Sequence, residues 1–266
     1  MRKTIITSLL LLVMTGAQAQ RQAEIEDFYQ VVNHASIGVG LGILNGGTIE
    51  LALPVTRYAA IRAGYNFFPK VAVSSDLDIY YRNGAEQLVV PLPSKIEVEG
   101  KPNLSTGHFL IDLYPFKRSA FHFTTGGYFG SDIVTDVYNK DDTKDVLKKI
   151  HDFNKLYGYS KGKEIGVELG DYFLEPDENG QVNANIQVKK FRPYLGIGFG
   201  RAIPEKHRFA CCFDMGVQFW GTPSVYVQDH KLSEQDLDGE GKEVMDILSK
   251  ITVCPAISFR IVGRVF

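Results

Sequence analysis

The sequence predicts an all-β chain, an eight-stranded antiparallel up-and-down transmembrane β-barrel with extended extracellular loops that contain short helices and a hairpin. Three observations predict it. Segments of alternating apolar and polar residues recur eight times along 266 residues. The links between them are short on one side and mostly long on the other. The polar face of the segments is rich in Gly and carries charges of both signs, with few of the Lys and Thr of a solvated strand face.

The chain starts with Arg2 and Lys3, an apolar run from Ile5 to Met14, and Ala17-Gln18-Ala19. These are the charged, apolar and small-residue regions of a secretory signal peptide, expected over residues 1–19. The apolar run is about half of what a membrane-spanning helix needs. Residues 20–35 are then expected as a periplasmic N-terminal segment, and 36–266 as the barrel with its long links 70–102, 131–190 and 222–250. A net charge of −2 gives no basic footprint for nucleic acid. Three Cys, two of them adjacent, form no disulfide framework.

The strands follow in order. The first sets Ile37, Val39, Leu41 and Ile43 against Gly38, Gly40 and Gly42. After Asn45-Gly46-Gly47, a turn signal, the second sets Ile49, Leu51 and Leu53 against Glu50. The third sets Ile61, Ala63, Tyr65 and Phe67 against Arg62, and the fourth Phe109, Ile111 and Leu113 against His108 and Asp112. The fifth sets Phe121, Phe123 and Phe129 against His122. The sixth opposes Leu195, Ile197 and Phe199 to Arg192 and Tyr194. The seventh opposes Phe209, Phe213, Met215 and Phe219 to Asp214, and the eighth runs from Thr252 to Phe266. Side chains alternate between faces along a strand.

Glycines suit a narrow interior where opposite walls compete for room, and interior charges need partners. A barrel-interior polar network is therefore expected from Glu50, Arg62, Asp112, His122, Arg192, Tyr194 and Asp214. Turn geometry suggests Glu50 opposite Arg62, Asp112 near His122, and Tyr194 near Asp214. Aromatics at strand ends, such as Tyr58, Phe67, Phe116, Phe191 and Trp220, suit interfacial girdles.

The segments ASIGVGLGILNGGTIELALPV, YAAIRAGYNFFP, FRPYLGIGFGRAIP and PAISFRIVGRVF carry a resemblance to small eight-stranded outer-membrane barrels of the OmpA/OmpX-like group. The resemblance implies an outer-membrane location, lipid contact, and passage through the barrel-assembly machinery with Phe266 as the C-terminal assembly signal. Arg260 and Arg264 depart from the apolar pattern expected before that residue. Either a bulge near Gly263 shifts the register, or Phe266 leaves the regular outer face.

In the long links, Val146, Leu147, Ile150 and Phe153 have helical spacing. Residues 165–175 and 181–189 flank Pro176-Asp177-Glu178-Asn179-Gly180 and read as a hairpin. Strand-like stretches lie around 71–81 and 95–99, and Ser233 is placed to cap a helix reaching Ser249. Glu234, Asp236, Asp238 and Gly239 open like a calcium loop, but Met245 stands where the closing Glu belongs. No cofactor motif is present: the glycine runs have a spacing of two and no helix follows them.

Eight strands leave a lumen just wide enough for side chains. The expected function is therefore structural, adhesive or surface-binding through the outer loops, by a non-enzymatic monomer that meets an extracellular ligand or protein. Two alternatives compete. A membrane-embedded lipid-modifying enzyme would need the His122–Asp112 pair near lipid. A secreted soluble barrel binding an apolar ligand would need the greasy faces turned inward.

Overall fold

The computed structural model describes residues 34–83, 85, 92–116, 119–169, 172–204, 207–228, 230–233 and 239–265. The expected signal peptide, nearly all of 20–35, Phe266, and Glu234, Asp236 and Asp238 lie outside the described residues.

Eight strands close a barrel: β1 (Ser36–Gly42), β2 (Gly46–Thr56), β3 (Ala59–Phe67), β6 (Thr106–Leu113), β7 (Phe121–Gly130), β12 (Phe191–Phe199), β13 (Phe209–Phe219) and β16 (Val253–Arg264). Each pairs antiparallel with its chain neighbour in the barrel, and β1 meets β16 to close the ring. Closure leaves no free sheet edge, the condition for a sheet in a lipid environment. Outward residues are apolar and exposed: Leu41 is 72% exposed, Leu51 59% and Leu195 54%. The charged residues of the same strands are buried, with Arg62 and Arg260 each 2% exposed. The greasy faces look out, which overturns the soluble barrel with an apolar interior.

The long links build a second sheet, here called the crown. Its strands are β4 (Val73–Tyr81), β5 (Lys95–Pro102), β8 (Ile133–Asn139), β9 (Ile165–Leu169), β10 (Tyr172–Leu174), β11 (Asn183–Gln187), β14 (Ser224–Val227) and β15 (His230–Lys231). Their order is β10-β9-β4-β5-β8-β11-β14-β15. The central run β4-β5-β8-β11-β14 repeats the barrel run β3-β6-β7-β12-β13, because each crown strand directly follows or precedes its barrel counterpart in the chain. One wall of the barrel therefore continues upward and opens into a sheet. The described parts of the β16, β1 and β2 wall have no such continuation.

The longer helices among the described residues lie with the crown: α1 (Lys144–Phe153), continued by a π turn at Asn154–Gly158, and α2 (Gly239–Lys250). Leu147 and Ile150 of α1 and Met245 of α2 share one buried cluster with Ile79, Ile96, Val98, Ile165, Val167 and Val227 of the sheet. The i, i+3, i+7 spacing of Leu147, Ile150 and Asn154 puts all three on one helix face. Asn154 clamps β9 at its start, donating to the Ile165 carbonyl at 2.7 Å and accepting from its N–H at 2.9 Å. Asn139 ties the end of β8 to the start of α1 and to the 176–180 turn, through Thr143, Gly180 and Val182.

One expectation for the links needs correction. Residues 165–175 and 181–189 do not pair with each other. β9 turns back on β10 and also pairs with β4, whereas β11 pairs with β8 and β14. The Asp177 turn still forms, with the Asp177 carboxylate accepting from the N–H groups of Asn179 and Gln181 at 2.9 and 2.7 Å. A turn signal fixes local geometry, but it does not choose a strand's partner. β8 carries no alternation strong enough to be read as a strand; its pairing with β5 and β11 creates it. The start of the helix expected after Ser233 falls in 234–238, outside the described residues; its described part begins at Gly239.

Candidate functional site

The lumen is the candidate site, because every expected network residue projects into the barrel. Its centre is a cluster of two guanidiniums and three carboxylates. Arg260 donates to Asp214 Oδ2 from Nε at 2.9 Å and from Nη2 at 2.6 Å, and it also pairs with Glu50. The planar fork of an Arg suits such a two-pronged grip on a carboxylate. Arg62 reaches Asp112 Oδ1 at 2.8 Å, Glu50 Oε2 at 3.4 Å and Asp214 Oδ1 at 3.5 Å. Thr124 donates to Asp112 Oδ1 at 2.8 Å. His108 Nε2 lies 3.3 Å from Glu50 Oε2.

His122 is fully buried. Its Nε2 lies 2.9 Å from Asp214 Oδ1 and its Nδ1 3.2 Å from the Ala120 carbonyl oxygen. Both partners are acceptors, and the tautomer decides which ring nitrogen donates.

Glycines make this crowding feasible. A Cβ on Gly40 would lie 2.6 Å from Arg260 Cγ, and one on Gly198 would lie 2.5 Å from His122 Nε2 and 2.7 Å from Asp214 Oδ1. The small residues on the polar face are the space in which the charged ones sit.

Ligand atoms of Asp112, His122 and Asp214 lie within 4.8 Å of one another. The Arg62 guanidinium already bridges the two carboxylates, so a cation's place there is taken. Three buried atoms, Arg62 Nε, His108 Nδ1 and Asp112 Oδ2, have no hydrogen-bond partner among the described residues.

Both mouths of the barrel are closed by chain segments that fold inward. At the short-turn mouth, Ala202 is fully buried against Ala52, Ala60 and Tyr114. Its N–H donates to Tyr114 Oη at 2.9 Å and its carbonyl accepts from Ser36 Oγ at 2.5 Å. At the crown mouth, Leu44 packs with Leu110, Tyr128, Tyr194 and Ala256. Asn45 donates to Tyr128 Oη at 3.4 Å and accepts from Gln218 Nε2 at 2.9 Å. Trp220 Nε1 donates to Gln218 Oε1 at 3.1 Å.

The expected pairings are therefore redistributed. Glu50 stands opposite Gly64, and Arg62 opposite Ala52. The turn is centred on Arg57–Tyr58 and not on Thr56, which sets Glu50 and Arg62 one same-face pair apart, and the long Arg62 side chain spans the diagonal. Asp112 stands opposite Thr124 and, as expected, lies near His122, with ligand atoms within 4.8 Å, while the hydrogen bond of His122 goes to Asp214. Tyr194 is paired with Gln218 across the strands and stacks beside Tyr128, while its hydroxyl lies over Gly196 and Gly216, in the layer next to Asp214. Arg192 does not join the ion cluster. It donates to the carbonyls of Lys189 and Ser131 at 3.2 and 2.6 Å and lies over Trp220, at the crown mouth.

Arg260 is the central residue that the sequence expectation left out. Its signal was present, since it alternates with the outward set Ile257, Phe259 and Ile261. Pairing of β16 with β1 and β13 runs without a shift through Gly263, so no bulge displaces Arg260 or Arg264 among the described residues. Reading Arg260 as a defect of a terminal motif hid its role as a lumen residue.

No family model and no curated protein matches the chain. Among the solved structures similar to it are two from Acinetobacter baumannii. The crystal structure of CarO2 is 14% identical, covering 87% of this chain and 98% of that one, with a TM-score of 0.46. The crystal structure of CarO is 13% identical, covering 86% and 96%, with a TM-score of 0.41. The assignment of an eight-stranded closed antiparallel barrel stands on the strand pairing itself.

Proposed function

We propose that this chain is an outer-membrane protein whose barrel is an anchor and whose crown is a surface-binding platform. The observation that supports it most is the combination of a sealed lumen with a crown that has its own packed core. A lumen crossed by ion pairs and packed with side chains at both ends argues against a diffusion pore. The apolar outer belt calls for lipid around it. A crown of eight strands and two helices is far more structure than is needed to connect barrel strands, and ordered surface loops are where binding is usually built. A role as lipid-modifying enzyme finds no support in His122, which is enclosed at the barrel centre.

The expected route is export through a cleaved 1–19 leader and insertion by the barrel-assembly machinery as a monomer. The crown would then meet an extracellular ligand or protein. Two measurements test this. The full chain should partition into detergent; free solubility in water would overturn the membrane anchor. An epitope inserted in the exposed 177–179 turn should be detected by antibody on intact cells. Detection only after the outer membrane is permeabilised would overturn the surface role.

A further inference from the structure

The helix α1 and the segment that returns from it to β9 form the outer tip of the crown. β9 pairs with the end of β4 that lies farthest from the barrel, Ile165 against Tyr81. Leu147, Ile150 and Asn154 face the core. Steps of four, eight and eleven residues from Lys148 bring Asp152, Leu156 and Tyr159 to the opposite, exposed face, with Lys149 and Lys155 beside them. Leu156 is 69% exposed, and Tyr157 and Tyr159 are exposed with it. Among the described residues, no other stretch of the crown exposes three large apolar side chains so close together. The tip is also held firmly. Asn154 clamps Ile165, the Lys163 N–H donates to the Gly158 carbonyl at 3.0 Å, and Asn83 Nδ2 donates to the Gly162 carbonyl at 2.5 Å. Tyr159 Oη donates to Glu175 at 2.6 Å, which fixes the ring on the outside. A surface held in one shape loses little conformational entropy when it docks.

The charge of the tip is opposite to that of its surroundings. Residues 148–163 carry five Lys and one Asp. The rest of the links 70–102, 131–190 and 222–250 carries eleven basic against twenty-three acidic residues. Lys144 is paired with Asp141, but Lys148, Lys149 and Lys155 are exposed and make no ion pair among the described residues. Unpaired cations around exposed Leu and Tyr fit a partner that is anionic at its surface and apolar beneath. Lys reaches phosphate, Tyr rings suit the headgroup layer, and Leu suits the edge of the acyl chains. A protein groove would have to match this convex tip, whereas a lipid surface closes around it.

We propose that this tip docks on the anionic lipid surface of an apposed membrane. The inference names a partner for the surface platform and rests on that reading. The test is co-flotation of the full chain, held in phosphatidylcholine nanodiscs, with separate lipid vesicles. Vesicles with about one-third phosphatidylglycerol should bind on the order of tenfold tighter than phosphatidylcholine alone. The preference should fade in molar salt, because exposed charges are screened. Lys148→Gln, Lys149→Gln and Lys155→Gln together should remove most of it. Leu156→Ser with Tyr157→Ser, which leaves the charge unchanged, should weaken binding on the order of tenfold through the lost apolar contact. Lys189→Gln with Lys190→Gln, at the barrel end of the crown, should leave binding intact. Equal binding of both kinds of vesicle would overturn the proposal, as would a preference that survives the triple lysine change. Binding that needs the lysines but ignores Leu156 and Tyr157 would also overturn it, and would make the partner a soluble polyanion such as an acidic glycan. A tip that binds no vesicle defeats this inference and leaves the platform standing. An epitope in the 177–179 turn hidden on intact cells defeats the platform reading itself, whatever the vesicles do.

Discussion

In the barrel, Leu51 and Leu195 face outward while Arg62, Arg260 and Asp214 are buried. In the crown the arrangement is reversed. Ile96 and Val98 of β5 are buried, while their neighbours Lys95, Glu97, Glu99 and Lys101 point away from the core. On that polar face Lys140 bonds Glu97 at 2.5 Å, Tyr138 donates to Glu99 at 3.4 Å, and Lys101 lies over the Tyr138 ring. Five barrel strands have crown counterparts next to them in the chain, so the inversion happens within a few residues. The same period-two pattern serves two solvents. Where lipid surrounds the sheet, burial favours charge pairs in the lumen. Where water surrounds it, burial favours apolar side chains under a helix.

Four changes break or sharpen this contrast, from the largest expected effect to the smallest. Arg260→Met removes the closer cation that Glu50 and Asp214 share and leaves three buried carboxylates to Arg62 alone. A loss of about 3–5 kcal/mol is expected. Urea unfolding in detergent, followed by the single Trp220, measures it. Second, Leu147→Ala opens a cavity in the crown core and should cost about 2–5 kcal/mol. Hydrogen exchange should rise in α1, β5 and β9, while barrel amides keep their protection. Loss of protection in both regions would show that crown and barrel are one cooperative unit.

Third, Leu195→Arg places a charge on the lipid face in mid-strand and should cost about 2–4 kcal/mol in bilayers. If the belt met water instead, the change would be close to neutral. Fourth, and smallest, is the exposed Glu97–Lys140 pair. The bond from Lys140 holds the Glu97 carboxyl below its ordinary value of 4.5. A depressed folded value contributes stability above the ordinary carboxylate range and loses it as pH falls through the lower folded value. A carboxyl-carbon NMR titration of Glu97 should therefore show a low midpoint, and Lys140→Gln should raise it. The barrel resonances should not follow this titration.

Much of the barrel was legible in the sequence because its rule is local. Alternation assigns each side chain to a face whatever the partner strand, so Glu50, Asp112, His122 and Asp214 could be assigned to the lumen before any pairing was known. Contacts between them were less legible. A turn centred beyond Thr56 places Arg62 opposite Ala52 and not Glu50, and Arg192 shares the face but sits at the crown mouth. The crown was the least legible region. Its α1 helix was visible from apolar spacing, but β8 and the partners of β9 and β11 were not, because those pairings join segments from three different links.

The sequence by itself determined the inside and the outside of this protein, since a repeat of two and its glycines are properties of consecutive residues. The tertiary structure decided which charges meet, which turns fold inward to seal the lumen, and how the long links combine into one sheet. Those outcomes depend on register and on strands distant in sequence coming together, and no single segment carries that information.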